Sequence, residues 1–75
     1  MGVPAYAMPG EQVWAMGLHA GSRKRFKAEV ISLRLQFPRI VVKYIATEDG
    51  ITAAIALPEM ATAYLHAADV EPRNW

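Results

Sequence analysis

"FKAEVISLRL", residues 26–35, alternates apolar and polar residues, and this alternation changes phase in its middle. The apolar positions of the two halves are Phe26, Ala28 and Val30, followed by Ile31, Leu33 and Leu35. A period of two is typical of a strand, and the slip between Val30 and Ile31 indicates a β-bulge, which bends the strand. Because a small barrel needs strongly bent strands to close, the stretch predicts a curved β-sheet.

Short segments on both sides of this stretch predict further strands. "EQVWAM" places Val13 and Ala15 on one side and Trp14 on the other, and "RIVVKYIA" is rich in β-branched residues. The predicted strands beyond the opening stretch are 11–16, 39–46, 51–57 and a short fifth strand at Val70.

The segment "PEMATAYLHAA", residues 58–68, predicts one or two helical turns. Pro58 suits a first helical position, and the residues at helical spacing are Met60, Ala63, Tyr64 and Ala67. The prediction is therefore an all-β chain: a small five-stranded, strongly bent SH3-like barrel with a short helical turn before the last strand. Its bounds are an irregular leader over 1–9, the barrel over 10–72 and a tail over 73–75.

Composition narrows the class of protein. The 75 residues are 53% hydrophobic and 20% charged, which indicates one folded domain close to the lower size limit for a stable core. With no cysteine there is no disulfide framework, which suits a reducing intracellular compartment. No segment reaches the roughly 18–20 apolar residues of a membrane span, and no signal peptide is expected. His19 and His66 lack further ligands, so neither a metal nor a cofactor is predicted, and the absence of a catalytic motif predicts a protein that is not an enzyme.

The order of these segments resembles the Tudor group of SH3-like barrels, which includes Agenet, chromo-barrel and PWWP modules. The similarity runs from about Gly10 to Pro72, and the segments that carry it are "PGEQVWA", "FKAEVISL", "IVVKYIATEDG" and "LHAADVEP". This resemblance implies a non-catalytic, Tudor-like module that binds methylated lysine or arginine in histone or other protein tails. It also implies a nuclear, chromatin-associated protein of which this is a monomeric domain.

The resemblance also implies which residues would bind the methylated side chain. Phe26 and Tyr44 fall at the family's cage aromatics, and Asp49, or Glu48, falls at its polar anchor. A methylated ammonium is attracted to ring faces, and several rings are needed for useful affinity. Trp14 or Tyr64 would complete the cage. Each aromatic residue also has a plain alternative as part of the core, or, for Tyr64, as a contact that packs the helical turn onto the barrel.

Two further functions remain open. Arg23, Lys24, Arg25 and Lys27 hold half of the eight positive charges, and this run predicts weak, salt-dependent contact with DNA or RNA phosphates, or simply a solvated loop. The net charge of +1 favours no polyanion by itself. The third function is a protein-protein docking module in which the apolar side of "IALPEMATAYL", residues 55–65, accepts a peptide without a methyl-ligand cage.

Overall fold

The structure, a computed structural model, describes residues 2–19, 21–47 and 62–75. Within these residues, five antiparallel strands form one sheet in the order β4-β3-β2-β1-β5. The strands are β1 (Gln12–His19), β2 (Ser22–Leu33), β3 (Ile40–Thr47), β4 (Thr62–Leu65) and β5 (Val70–Pro72). The prediction of a mostly β chain is confirmed, and the described residues form five strands, of which β4 is not one of the five predicted. Within the described residues β4 and β5 are the two edges, so this sheet is not closed.

β1 and β2 form a long hairpin, and the basic residues 23–27 are part of its second strand. The register pairs Met16 with Arg25 and His19 with Ser22, so residues 22–25 are the first part of β2 rather than a separate loop. Gly21, in the connection between the strands, has a φ of 81°, which glycine adopts without strain. The strand predicted over 11–16 is therefore three residues longer at its C-terminal end.

The phase slip predicted in β2 is confirmed as a bulge. The register of β2 against β3 shifts between Val30 and Ser32, which leaves Ile31 as the extra residue. Val30 is completely buried, whereas Ile31 is 44% exposed. A second shift, between Lys27 and Ala28, was not expected from the sequence. Both irregularities bend the pair formed by β2 and β3 over the core.

The core lies on one face of the sheet, called the inner face below. Its buried members are Ala7, Val13, Ala15, Ala28, Val30, Ile40, Val42 and Val70. The predicted leader contributes to this core, because a 3-10 turn over Ala5–Ala7 buries Ala7. The Tyr6 hydroxyl of the leader donates to the Val70 carbonyl at 3.3 Å, and the amide of Gly10, which follows the leader, donates to the Val30 carbonyl at 2.8 Å.

The helical turns predicted from the spacing of Met60, Ala63, Tyr64 and Ala67 are wrong where the structure describes them. Thr62–Leu65 is strand β4, which pairs Ala63 with Val42 and Leu65 with Ile40 on the inner face. Hydrogen bonding to β3 thus outweighs a weak local preference for helix. A 3-10 turn over Ala67–Asp69 does precede β5, as expected. The predicted strand over 51–57 lies outside the described residues, and among these residues no helix could cross a membrane.

Candidate functional site

Phe26 and Tyr44 form a ring pair on the inner face. Their centroids are 5.2 Å apart with the planes inclined by 56°, and the Tyr44 hydroxyl donates a hydrogen bond to the Met16 carbonyl at 2.9 Å. Phe26 is fully buried, and Tyr44 is half-buried. Burial, with a smaller contribution from the Asp69 carboxylate, raises the pKa of the Tyr44 phenol above its usual value.

Small residues opposite the two rings make room for this pair. The register places Ala15 opposite Phe26 and Ala28 opposite Tyr44. A Cβ atom on Gly17 would lie 2.9 Å from both the Phe26 ring and the Tyr44 hydroxyl. Gly17 therefore permits β1 to approach both rings, and the pair is packed against backbone on that side.

Trp14 lies on the opposite, outer face of the sheet, where the C-terminal residues cover it. Its Nε1 atom donates to Asn74 Oδ1 at 2.7 Å, and its ring meets the edge of Trp75 at a centroid distance of 4.8 Å. The Arg25 guanidinium lies 4.4 Å from the Trp14 centroid. Trp14 is consequently only 5% exposed, and the structure does not bring it together with Phe26 and Tyr44.

Tyr64 also lies apart from that pair, on the outer face of the edge strand β4. The register places it opposite Val41, and the Arg34 guanidinium lies 4.2 Å from its ring centroid. His66, which directly follows β4, stacks on Phe37 with centroids 6.1 Å apart. We call this group of Arg34, Phe37, Tyr64 and His66 the aromatic platform. Tyr64 is 56% and Phe37 69% exposed, and neighbouring Leu35 is almost fully exposed.

The four basic residues of β2 do not form a uniform positive surface. Arg23 bonds Asp69 at 2.9 Å, and Arg25 bonds Glu71 at 3.2 Å. Lys24, opposite Gly17, belongs to the other face of β2 from Arg23 and Arg25. Lys27 lies on the outer face, opposite Trp14. Two carboxylates from the C-terminal part of the chain therefore offset two of the four charges.

The sequence predicts some of these site residues and not others. Phe26 and Tyr44, the predicted cage aromatics, lie side by side, but Phe26 is fully buried, as its alternative as part of the core predicts. Asp49 and Glu48 lie outside the described residues. Four site residues were not predicted from the sequence: Arg34 occupies a polar position of the alternating stretch 26–35, and Phe37, Arg73 and Trp75 lie outside every predicted strand. The sequence signal for the platform is "RLQFPR", residues 34–39, in which two arginines flank a leucine and a phenylalanine.

Comparison with known proteins adds no family assignment. No protein-family model matches the chain, and no curated protein or solved structure matches it significantly. Within residues 2–19, 21–47 and 62–75, no group of three or more histidine, aspartate or glutamate side chains could hold a metal ion. Functional inference therefore depends on the surface chemistry of the two faces.

Proposed function

We propose that this chain is a non-catalytic binding module of the SH3-like barrel class that docks a segment of another protein on the aromatic platform. The topology supports the class: the last strand returns to pair with the first, and both β2 and β3 are bent at bulges, as a small barrel requires. The Tudor-like resemblance stays a prediction, as do the nuclear location and the association with chromatin.

The exposure of the platform carries the docking proposal. Tyr64, Phe37 and Leu35 are the large apolar side chains that β4 and the β2–β3 connection leave in solvent. Single exposed apolar residues are normal, but a contiguous exposed group is typical of an interaction surface. Arg34 contacts Tyr64 and His66 stacks on Phe37, so both contacts link the same two segments, 34–37 and 64–66.

Charge selects the kind of segment that would bind. Arg34 and Arg39 lie at this end of the sheet, and Arg39 Nε donates to the Arg34 carbonyl at 3.1 Å. The salt bridges among the described residues join Arg23 to Asp69 and Arg25 to Glu71. None of these salt bridges involves Arg34 or Arg39. A guanidinium binds carboxylate in a two-pronged geometry. The platform therefore fits an acidic segment that also carries aromatic or long aliphatic side chains.

An NMR titration with a short peptide that alternates aspartate with phenylalanine and leucine tests this proposal. We expect amide shifts at Arg34, Tyr64 and His66, and we expect Arg34→Gln and Tyr64→Ala to weaken binding several-fold each. Leu18→Ala is the matched control, because Leu18 is an exposed apolar residue at the other end of the sheet.

Three outcomes would contradict the proposal. In the first, the peptide shifts residues of the β1–β2 hairpin and leaves the platform unchanged. In the second, Leu18→Ala weakens binding as much as Tyr64→Ala does. In the third, a peptide with lysine in place of aspartate binds equally well, which would remove the role assigned to Arg34.

The methyl-reader function remains a second candidate because of the contact between Phe26 and Tyr44. Tyr44 is the more accessible of the two rings, so a methylated ammonium would enter beside it. Peptides with trimethyllysine, dimethyllysine or dimethylarginine should then shift Tyr44 and its neighbours, while the unmodified peptides should not. Equal shifts with modified and unmodified peptides, or none, would count against a reader.

A further inference from the structure

A cluster of two indoles and three cations occupies the outer face of β1, β2 and the C-terminal segment. We call it the indole cluster: Trp14, Arg25, Lys27, Arg73 and Trp75. Lys27 Nζ lies 5.4 Å and the Arg73 guanidinium 5.6 Å from the Trp75 ring centroid, while Arg25 lies over Trp14. These contacts involve neither the aromatic platform nor the inner ring pair, so the cluster is a separate surface.

The two indoles of the cluster differ in what they offer to a ligand. Trp14 is almost completely covered, whereas Trp75 is 37% exposed. Arg73 Nη1 donates to Gln12 Oε1 at 2.9 Å and its Nε to the backbone oxygen of Trp75 at 2.8 Å, so two oxygen acceptors hold the guanidinium beside the ring. The salt bridges among the described residues involve neither Lys27 nor Arg73. Lys27 and Arg73 therefore place two cationic side chains next to a partly exposed aromatic ring.

We propose that the indole cluster binds single-stranded nucleic acid, with an unpaired base on Trp75 and the adjoining phosphates on Lys27 and Arg73. A ring available for stacking next to cations that contact the backbone is the combination that proteins use for single strands. In a duplex the base faces are already stacked on one another, so Trp75 would have no ring to contact.

The carboxylates near the cluster limit the electrostatic part of binding. Glu71 lies opposite Trp14 in the register and bonds Arg25 at 3.2 Å, and Glu29 lies opposite Gln12 and Lys43. The local excess of positive charge is consequently small. Stacking on Trp75 should therefore contribute more to affinity than counterion release does, which distinguishes this surface from a simple basic patch.

A titration with a dye-labelled short oligothymidylate, followed by fluorescence anisotropy at low salt, tests the proposal. Trp75→Ala should weaken binding by about 5- to 150-fold, the usual range for loss of one stacked base. Lys27→Gln and Arg73→Gln should each weaken binding several-fold and reduce the slope of log affinity against log salt by about 0.7. Oligothymidylate should also quench tryptophan emission in the unchanged protein.

The controls separate a built site from general attraction of a polyanion. Lys24→Gln removes the same charge from exposed Lys24, which lies opposite Gly17 on the other face of β2, and should leave affinity unchanged. Trp75→Phe retains a ring that packs on Trp14, so it should bind with intermediate affinity even if Trp75→Ala loosens the fold. Wild-type affinity in both Trp75 variants would overturn the proposal. So would an equal effect of Lys24→Gln and Lys27→Gln, or equal competition by duplex DNA.

Discussion

Gly17 is the residue on which the packing of the inner ring pair depends. Its neighbours Phe26 and Tyr44 come so close that an added Cβ would lie 2.9 Å from each of them. The contacted ring atoms belong to buried Phe26, and the Tyr44 hydroxyl is fixed by its bond to Met16. Neither side chain can move away without disturbing the core.

We therefore expect Gly17→Ala to lower the free energy of unfolding by about 1–3 kcal/mol, the usual cost of overpacking. Urea denaturation followed by circular dichroism measures this change. Gly2→Ala is the matched control, since a Cβ on Gly2 would meet nothing within 4 Å. Equal stability of the two variants would mean that the ring pair has room to move.

Tyr44 should make stability depend on pH in the alkaline range. Its pKa is raised in the folded state above the usual value of 10.0. The folded protein thus holds the phenolic proton more tightly than the unfolded chain, and stability falls as pH rises above about 10. Tyr44→Phe should flatten this fall and, by losing the bond to the Met16 carbonyl, reduce stability at neutral pH by about 1 kcal/mol. An unchanged alkaline slope in denaturant titrations of the variant would contradict this assignment.

At the scale of elements, the bulge in β2 decides which side chains face the core. Val30 and Ile31 are adjacent, yet Val30 is fully buried and Ile31 is the extra residue in the register. Isoleucine has more apolar atoms than valine, so its truncation would be the more costly if both were buried.

The bulge reverses that expectation. We predict that Val30→Ala lowers the free energy of unfolding by about 1–3 kcal/mol, whereas Ile31→Ala changes it by no more than about 0.5 kcal/mol. Thermal or urea unfolding of the two variants gives the comparison directly. A larger loss from Ile31→Ala would place the bulge elsewhere in β2.

The elements differ in how far the sequence could predict them. The slip after Val30 and the β-branched run of β3 are patterns of side-chain burial, so both are visible in the sequence. The sequence predicts helix where the structure has β4. The four residues "TAYL" have little local preference for strand, and their pairing with β3 makes them one. Strand alternation alone predicts that Trp14 and Phe26 lie on opposite faces. That residues 73–75 cover Trp14 is not predictable in this way, because the hydrogen bond from Trp14 to Asn74 joins residues 60 positions apart.

At the scale of the whole molecule, the two ends of the chain close opposite faces of the sheet. The N-terminal 3-10 turn adds Ala7 to the inner core, and the C-terminal segment covers Trp14 on the outer face. A chain of 75 residues has a small core, so each covering segment should contribute measurably to stability. The C-terminal segment also supplies Trp75 and Arg73 to the indole cluster, which links folding of this segment to the proposed nucleic-acid site.

Removal of Arg73–Trp75 should therefore expose Trp14 and destabilise the fold. Asn74→Ala alone leaves the Trp14 Nε1 donor without its acceptor, at a cost of about 1 kcal/mol or more, and the full deletion also loses the edge contact with Trp75. Trp14 is the only remaining tryptophan both in the deletion variant and in Trp75→Phe, which keeps the segment in place. The emission of the deletion variant should lie at longer wavelength than that of Trp75→Phe, because water reaches its indole. Identical emission spectra would mean that Arg25 and the strands, rather than the C-terminal segment, cover Trp14.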